Sequence, residues 1–314
     1  MTEPTLRQAG LLARFWVYQR ERFPLAGFAP LITAFTFSSA AYSRLSRGAS
    51  GFIPLTRLGV GVFTALVFFF SLRVLDEHKD ADVDRRYRPE LPVPRGLITL
   101  KELRTIGGVA LAAVVALNAA MLPALLVPMA AVAVWATLMT REFFVRDWLR
   151  AHPTAYLLSH MAIMPLIDTY TTGLDWLAVG RRPPSGLGYF LVVTFLNGML
   201  VEIGRKVRSP GTERAGVDTY TRAWGLRTAP VVWLLLMAAA AAVAVFALRH
   251  VGSGAIEIGT IALAAAWGVA AAIQFMRRPE LASQLALERA SQQWMFATYL
   301  ALGTLPFVVH RFWP

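Results

Sequence analysis

Apolar residues in this chain come in long unbroken blocks, not in the alternation of a strand or the one-sided stripe of a surface helix. Nine such blocks run at roughly 24–43, 55–75, 105–121, 122–140, 154–174, 186–204, 229–248, 254–275 and 291–309. Most approach the roughly 20 residues that carry a helix across a hydrocarbon core. No water in that core can satisfy a peptide group, so each block is expected to form a helix that bonds its own backbone. The fold class that follows is an all-α integral membrane protein, residues 1–314 forming one polytopic domain of about nine transmembrane helices.

The polar stretches between blocks divide the chain further. Block two runs into an acidic stretch at 76–84. Block six, four blocks later, runs into "VEIGRKVRSPGTERAGVDTYTRAWG", residues 201–225. Glu202 stands 126 positions after Asp76, and each marks a helix ending in a charged loop punctuated by Gly and Pro. This predicts two four-helix repeats, about 20–150 and about 151–278, plus a last helix at 291–309. Their equivalent loops would meet over a central cavity open to the cytoplasmic side. "GRRPPSG" between blocks five and six reads as a linker. "RRPELASQLALERASQ" before block nine reads as an interfacial helix with Leu281, Leu285 and Ala286 on one side.

Composition agrees with the bilayer. Mean hydropathy is +0.51, 56% of residues are apolar and 16% are charged, against about 25% charged in soluble domains. Only seven of the 31 Lys and Arg (Arg44, Arg47, Arg57, Arg181, Arg182, Arg249 and Arg311) fall on the face opposite the N-terminus. Basic residues collect in the cytoplasm, so the N-terminal face is expected there, in the cell membrane. The net charge of +12 reads as topology and attraction to anionic lipids, not as nucleic-acid binding, since no nucleic-acid module is present. The first block lacks a small-residue cleavage pattern, so no removable signal peptide is expected. Cysteine is absent, which excludes disulfides and thiolate metal sites.

The chemistry concentrates where block two ends. In "FFFSLRVLDEHKDADVDRRYRPELPVPRGLITLKEL", residues 68–103, Asp76, Asp80 and Asp84 recur every four positions. A continuing helix would stack them along one face, where like charges repel unless something offsets them. A hard divalent cation does so: Mg²⁺ takes oxygen ligands and is usually completed by substrate phosphates. Arginines beside such a row, here Arg85, Arg88 and Arg95, suit the remaining phosphate oxygens. The pattern describes a diphosphate site.

These residues carry a resemblance. "DEHKDADVD" resembles N-D-x-x-D-x-x-x-D, the first aspartate-rich motif of the UbiA superfamily of intramembrane prenyltransferases, with Asp76 in place of Asn and Glu77 for the first Asp. "LPVPRGLIT" is similar to the family's Pro-x-Pro-x-Gly turn, with Leu91 where an arginine is usual and Arg88 three residues upstream. "GVDTYTRAWG" is similar to its G-x-x-T-x-x-x-x-x-G ending. The resemblance implies Mg²⁺ held by Asp76, Glu77, Asp80, Asp84 and Glu202, an isoprenyl diphosphate donor and a lipophilic acceptor. Arg146, in "REFFVRDWLR", stands with Phe143 roughly where the family has a Tyr-x-x-Lys that helps hold diphosphate.

The second motif departs from the pattern. Glu202 is followed four residues on by Lys206, between Arg205 and Arg208, where the family has D-x-x-x-D; only Glu213 and Asp218 follow. A charged lysine cannot ligate Mg²⁺ but binds phosphate as a point charge, so Lys206, Arg205 and Arg208 are expected on the diphosphate. A lysine here also resembles the branch that moves phosphoribose onto a polyprenyl phosphate, although that branch has tyrosine where Glu202 stands. His160 and Asp168 in block five could touch substrate or simply bond between helices. Asn118, Asn197 and Asp175 read as structural. Alongside prenyl transfer, cyclisation of the donor on itself, phosphoribosyl transfer and a permease with a charged ion path stay open.

Overall fold

The computed structural model describes residues 9–252 and 254–312; the opening residues 1–8, read above as cytoplasmic, lie outside them. Among the described residues every regular element is helical. Helix α1 (Leu11–Arg22) precedes α2 (Leu25–Ser46), α3 (Leu55–Lys79), the short α4 (Ala81–Tyr87), α5 (Leu100–Met121) and α6 (Leu126–Thr140). Next come α7 (Arg146–Ala151), α8 (Pro153–Met161), α9 (Ile163–Gly173) and α10 (Leu187–Lys206). The chain ends with α11 (Tyr220–Trp224), α12 (Thr228–His250), α13 (Ala255–Arg277), α14 (Leu281–Tyr299) and α15 (Leu305–Phe312).

Among the described residues, seven segments are long and apolar enough to cross a membrane: α2, α3, α5, Pro123–Thr140 (which contains α6), α10, α12 and α13. They match seven of the nine predicted blocks. The other two take different forms. Block five is broken at Ala162 into α8 and α9, because Pro165 has no N–H to bond the carbonyl of Met161. Block nine is not separate from the helix before it. From Leu281 the chain runs through α14, a π-helical turn at Leu300–Thr304 and α15, so the expected interfacial helix is the first part of one long helix.

Neighbouring helices form a closed ring. α2 packs on α3, α3 on α5, α5 on α6, α6 on α9, α9 on α10, α10 on α12 and α14, α12 on α13, and α13 on α14. The π turn then returns to α2. Gly303 lies in that turn against the backbone of Ser38, where any Cβ would clash. The outward residues are apolar and exposed, among them Val109, Val127, Leu235 and Leu263, as lipid contact requires.

Polar residues inside the ring join helices. Asn118 bonds Thr64 and Tyr170, and Asn197 bonds Thr298 and Trp294. Asp175 is fully buried between Arg44 and Arg47. Asp168, also fully buried, accepts from Tyr299 at 2.9 Å and meets Ser39 at 3.1 Å, tying α9 to α2 and α14. Asp168 therefore sits in a hydrogen-bonded hub.

Candidate active site

The acidic row keeps its helical register past the end of α3. Asp80 caps that helix, yet the 80, 84 and 88 amides bond the carbonyls of 76, 80 and 84 at 2.8–2.9 Å. Asp76, Asp80 and Asp84 thus stay linked through the backbone. Their surroundings differ. Asp76 is half exposed, with Arg73 at 3.8 Å. Asp84 is buried and accepts from Arg88 at 3.3 Å. Burial raises the Asp84 carboxyl above its ordinary range, and Arg88 offsets part of that.

Across the site, both oxygens of Glu202 are occupied. Lys206 Nζ lies 2.7 Å from Oε1 and Arg205 Nη2 lies 2.6 Å from Oε2. Arg205 also lies in the field of Asp76. One cation of the second motif is therefore within electrostatic reach of one carboxylate of the first.

The two loops meet directly. Arg214 pairs with Glu90 at 2.8 Å. Gly216, at φ 71°, lies against the ring of Tyr87, where a side chain would both strain the backbone and clash. Gln284 of α14 accepts from Ser209 N at 2.8 Å and anchors the second loop from below. Glu213 accepts from Thr219 and Thr221 at 2.7 and 2.8 Å, which gives it a role inside its own loop. Asp218 is exposed.

The remaining expected ligands scatter. Glu77 is buried and paired at 2.6 Å with Arg22 of α1. Arg95 pairs with Glu21 of the same helix at 2.7 Å, so α1 is stapled over the first motif. Arg85 pairs with Asp82 in solvent, Arg208 pairs with Glu288 at 3.5 Å, and Arg146 is exposed. In its place the 141–150 segment sends Glu142 inward. Glu142, Phe143 and Phe144 have φ of 48°, 51° and 61°, a left-handed turn that costs L-residues roughly 1–2 kcal/mol each. That turn buries Glu142 against Lys79, 2.7 Å away.

Four residues that the sequence reading left out of the site therefore shape it: Arg22, Lys79, Glu142 and Tyr156. Lys79 donates to Tyr156 Oη and His160 Nε2, each at 3.2 Å, as well as to Glu142. His160 Nδ1 faces the carbonyl of Tyr156 at 3.0 Å. A carbonyl only accepts, so Nδ1 carries the ring proton and Nε2 accepts from the lysine. His160 belongs to the site, whereas Asp168 belongs to the interior.

Among the described residues, no three His, Asp or Glu side chains are grouped closely enough to hold a metal unaided. Asp76 and Asp80 fit a Mg²⁺ that takes one or two carboxylates and completes its shell with water and substrate phosphates. Glu202 has cations on both of its oxygens, and Glu77 has Arg22 on one. A cavity of about 20 Å³ lies beside Asp76, Lys79 and His160. A larger apolar groove of about 580 Å³ runs along α2 and the π turn, past Ala29, Thr33, Phe37 and Leu300.

No protein-family model matches the sequence, and a comparison with curated proteins finds no match. Solved structures do match. The structure of a digeranylgeranylglyceryl phosphate synthase aligns with a TM-score of 0.63 at 14% identity, over 94% of this chain and 99% of that one. A UbiA homologue from Aeropyrum pernix K1 aligns with a TM-score of 0.65, also at 14% identity, over 90% of this chain and 98% of that one. This chain has the UbiA fold over nearly its whole length.

Proposed function

We propose that the protein is a Mg²⁺-dependent transferase that moves an isoprenyl group from a prenyl diphosphate to a lipophilic acceptor within the membrane. The observation that supports it best is that Arg205 of the second motif lies in the field of Asp76 of the first, with Lys206 beside it on the same carboxylate, Glu202. Anionic oxygen donors on one side and cations on the other match a diphosphate with one bound divalent ion. The fold shared with a digeranylgeranylglyceryl phosphate synthase points the same way. On this reading the basic face, with α1 and both motif loops, lies in the cytoplasm.

Asp76 and Asp80 would hold the metal, which when bound neutralises charge on the departing diphosphate. Arg205 and Lys206 take phosphate oxygens directly and stabilise the leaving anion as the C–O bond ionises. The α1 staple, through Arg22 to Glu77 and Arg95 to Glu21, fixes the first motif so that its carboxylates need not reorganise during the reaction. On this reading the isoprenyl chain lies in the apolar groove along α2 and the π turn. The allylic carbon then bonds a nucleophilic atom of the acceptor, whose displaced proton passes to solvent or to the released diphosphate.

The test is diphosphate release by purified protein with Mg²⁺ and a series of prenyl diphosphates, with and without lipid extract. Release that requires extract supports transfer. Release without it, yielding a hydrocarbon or alcohol, means cyclisation or hydrolysis instead. Release from phosphoribosyl diphosphate alone means phosphoribosyl transfer, and release from no donor means the chain is not such an enzyme.

A further inference from the structure

Between the two motifs lies a residue of neither. Tyr156 opens the broken fifth segment, and the ammonium groups of Lys79 and Lys206 lie 5.0 and 5.1 Å from its ring centroid. Lys79 comes from the first motif and Lys206 from the second. Tyr156 touches both, and its hydroxyl lies in the field of Asp76, Asp80, Glu142 and Glu202.

The hydrogen bonds around this pair have a particular asymmetry. Lys79 uses three donors on Glu142, Tyr156 Oη and His160 Nε2. Tyr156 Oη accepts from Lys79, which leaves its own proton to donate elsewhere. Glu142 is 8% exposed, and its second oxygen has no hydrogen-bond partner. Buried carboxylates are as a rule hydrogen-bonded at both oxygens. This one is half satisfied and is held there by three consecutive left-handed residues, and such strain collects where function demands a placement.

We propose that Lys79, Tyr156 and Lys206 form a phosphate cradle in which Glu142 and Glu202 hold the two lysines until a diphosphate replaces them. The cradle rests on the diphosphate reading above and extends it to residues of a third segment. When the anion enters, each ammonium exchanges a carboxylate for a phosphate oxygen and the tyrosine hydroxyl donates its unused proton to a third. His160, stacked on the Tyr156 ring at 3.8 Å, keeps that ring in place. Two lysines and a hydroxyl then supply what a second metal ion would otherwise provide on that side. No proton needs to be transferred, and the metal held by Asp76 and Asp80 is unaffected.

The placeholder role makes a prediction of sign. A carboxylate that competes with phosphate for Lys79 lowers anion affinity, whereas one that merely positions Lys79 raises it. The experiment is equilibrium binding of Mg²⁺-pyrophosphate to the full chain in lipid nanodiscs, for the parent, Tyr156→Phe, Glu142→Gln and Asp80→Asn. Tyr156→Phe keeps the ring and its stacking, and should weaken binding about tenfold at unchanged melting temperature. Glu142→Gln should tighten it several-fold. Equal binding by Tyr156→Phe and the parent, or weaker binding by Glu142→Gln, would overturn the cradle while leaving the diphosphate site standing, provided Asp80→Asn abolishes binding. If Tyr156→Phe does not fold, the sign for Glu142→Gln decides alone. No binding by the parent would overturn the diphosphate reading itself, and the cradle with it.

Discussion

Lys206 Nζ lies 2.7 Å from Glu202 Oε1, one turn apart on α10 and at the end that faces the acidic row. Arg205 closes the other oxygen at 2.6 Å. The pair turns a position expected to hold a metal into one that presents positive charge. The substitution Lys206→Ala removes a charge-assisted hydrogen bond to phosphate worth roughly 1.5–3 kcal/mol. Donor affinity, measured as Kd for the diphosphate, should fall about ten- to a hundredfold. Lys206→Asp should be worse than alanine, because it sets a second carboxylate beside Glu202 and against the diphosphate. Parent-like activity of Lys206→Asp at any Mg²⁺ concentration would show that the second motif is not cationic by design.

Asp80 has the row on both sides of it and caps α3. Asp80→Asn should abolish turnover while the protein purifies and melts as the parent does. The loss should persist at Mg²⁺ far above the normal requirement, since the missing ligand charge cannot be restored by mass action alone. Near-normal turnover by this variant would place the metal elsewhere.

Asp84 couples function to stability in the opposite direction. Its folded-state carboxyl is raised by burial, so the folded chain binds that proton more tightly than the unfolded chain does. The stability this provides is full below the ordinary carboxylate range and is lost as pH rises through the raised value. Asp84→Asn should therefore raise the melting temperature of metal-free protein in EDTA at neutral pH, and the gain should vanish near pH 3. A variant equally stabilised at both pH values would refute the assignment of the gain to Asp84 ionisation.

Much of this arrangement was legible in the chain. Seven apolar blocks gave seven long helices, and the spacing of 76, 80 and 84 survived into three dimensions because the hydrogen-bond register runs on through the cap. The reading placed Glu77 on the metal because it stands at the first aspartate of the motif that the stretch resembles. Adjacent helical residues point about 100° apart, and only the fold reveals that Glu77 turns toward Arg22, 55 positions earlier. Lys79, Glu142 and Tyr156 were missed for a related reason. Their contacts span 77 positions between Lys79 and Tyr156, and Glu142 reaches inward only through a left-handed turn that its residue types do not favour. Arginines looked interchangeable in sequence, yet Arg85 pairs only with its near neighbour Asp82, while Arg205, also exposed, pairs with Glu202 in the field of Asp76.

The α1 staple makes a separate prediction. Arg22→Met leaves Glu77, almost fully buried, without its cation. Breaking a buried pair by removing one partner costs about 3–5 kcal/mol, so unfolding should shift down by that order. Arg22→Met with Glu77→Leu should recover part of it, because no orphan charge then remains. A double variant as unstable as Arg22→Met would mean that the pair does not act as a unit.

The most direct test of the account is a structure of the protein in lipid with Mg²⁺ and geranylgeranyl thiolodiphosphate, a donor analogue slow to ionise. The diphosphate should lie between the two loops, with one metal ion on Asp76 and Asp80 and with Lys206 Nζ on a phosphate oxygen. A second metal ion ligated by Glu202, with Lys206 turned away from the phosphates, would contradict it, as would analogue bound away from the acidic row.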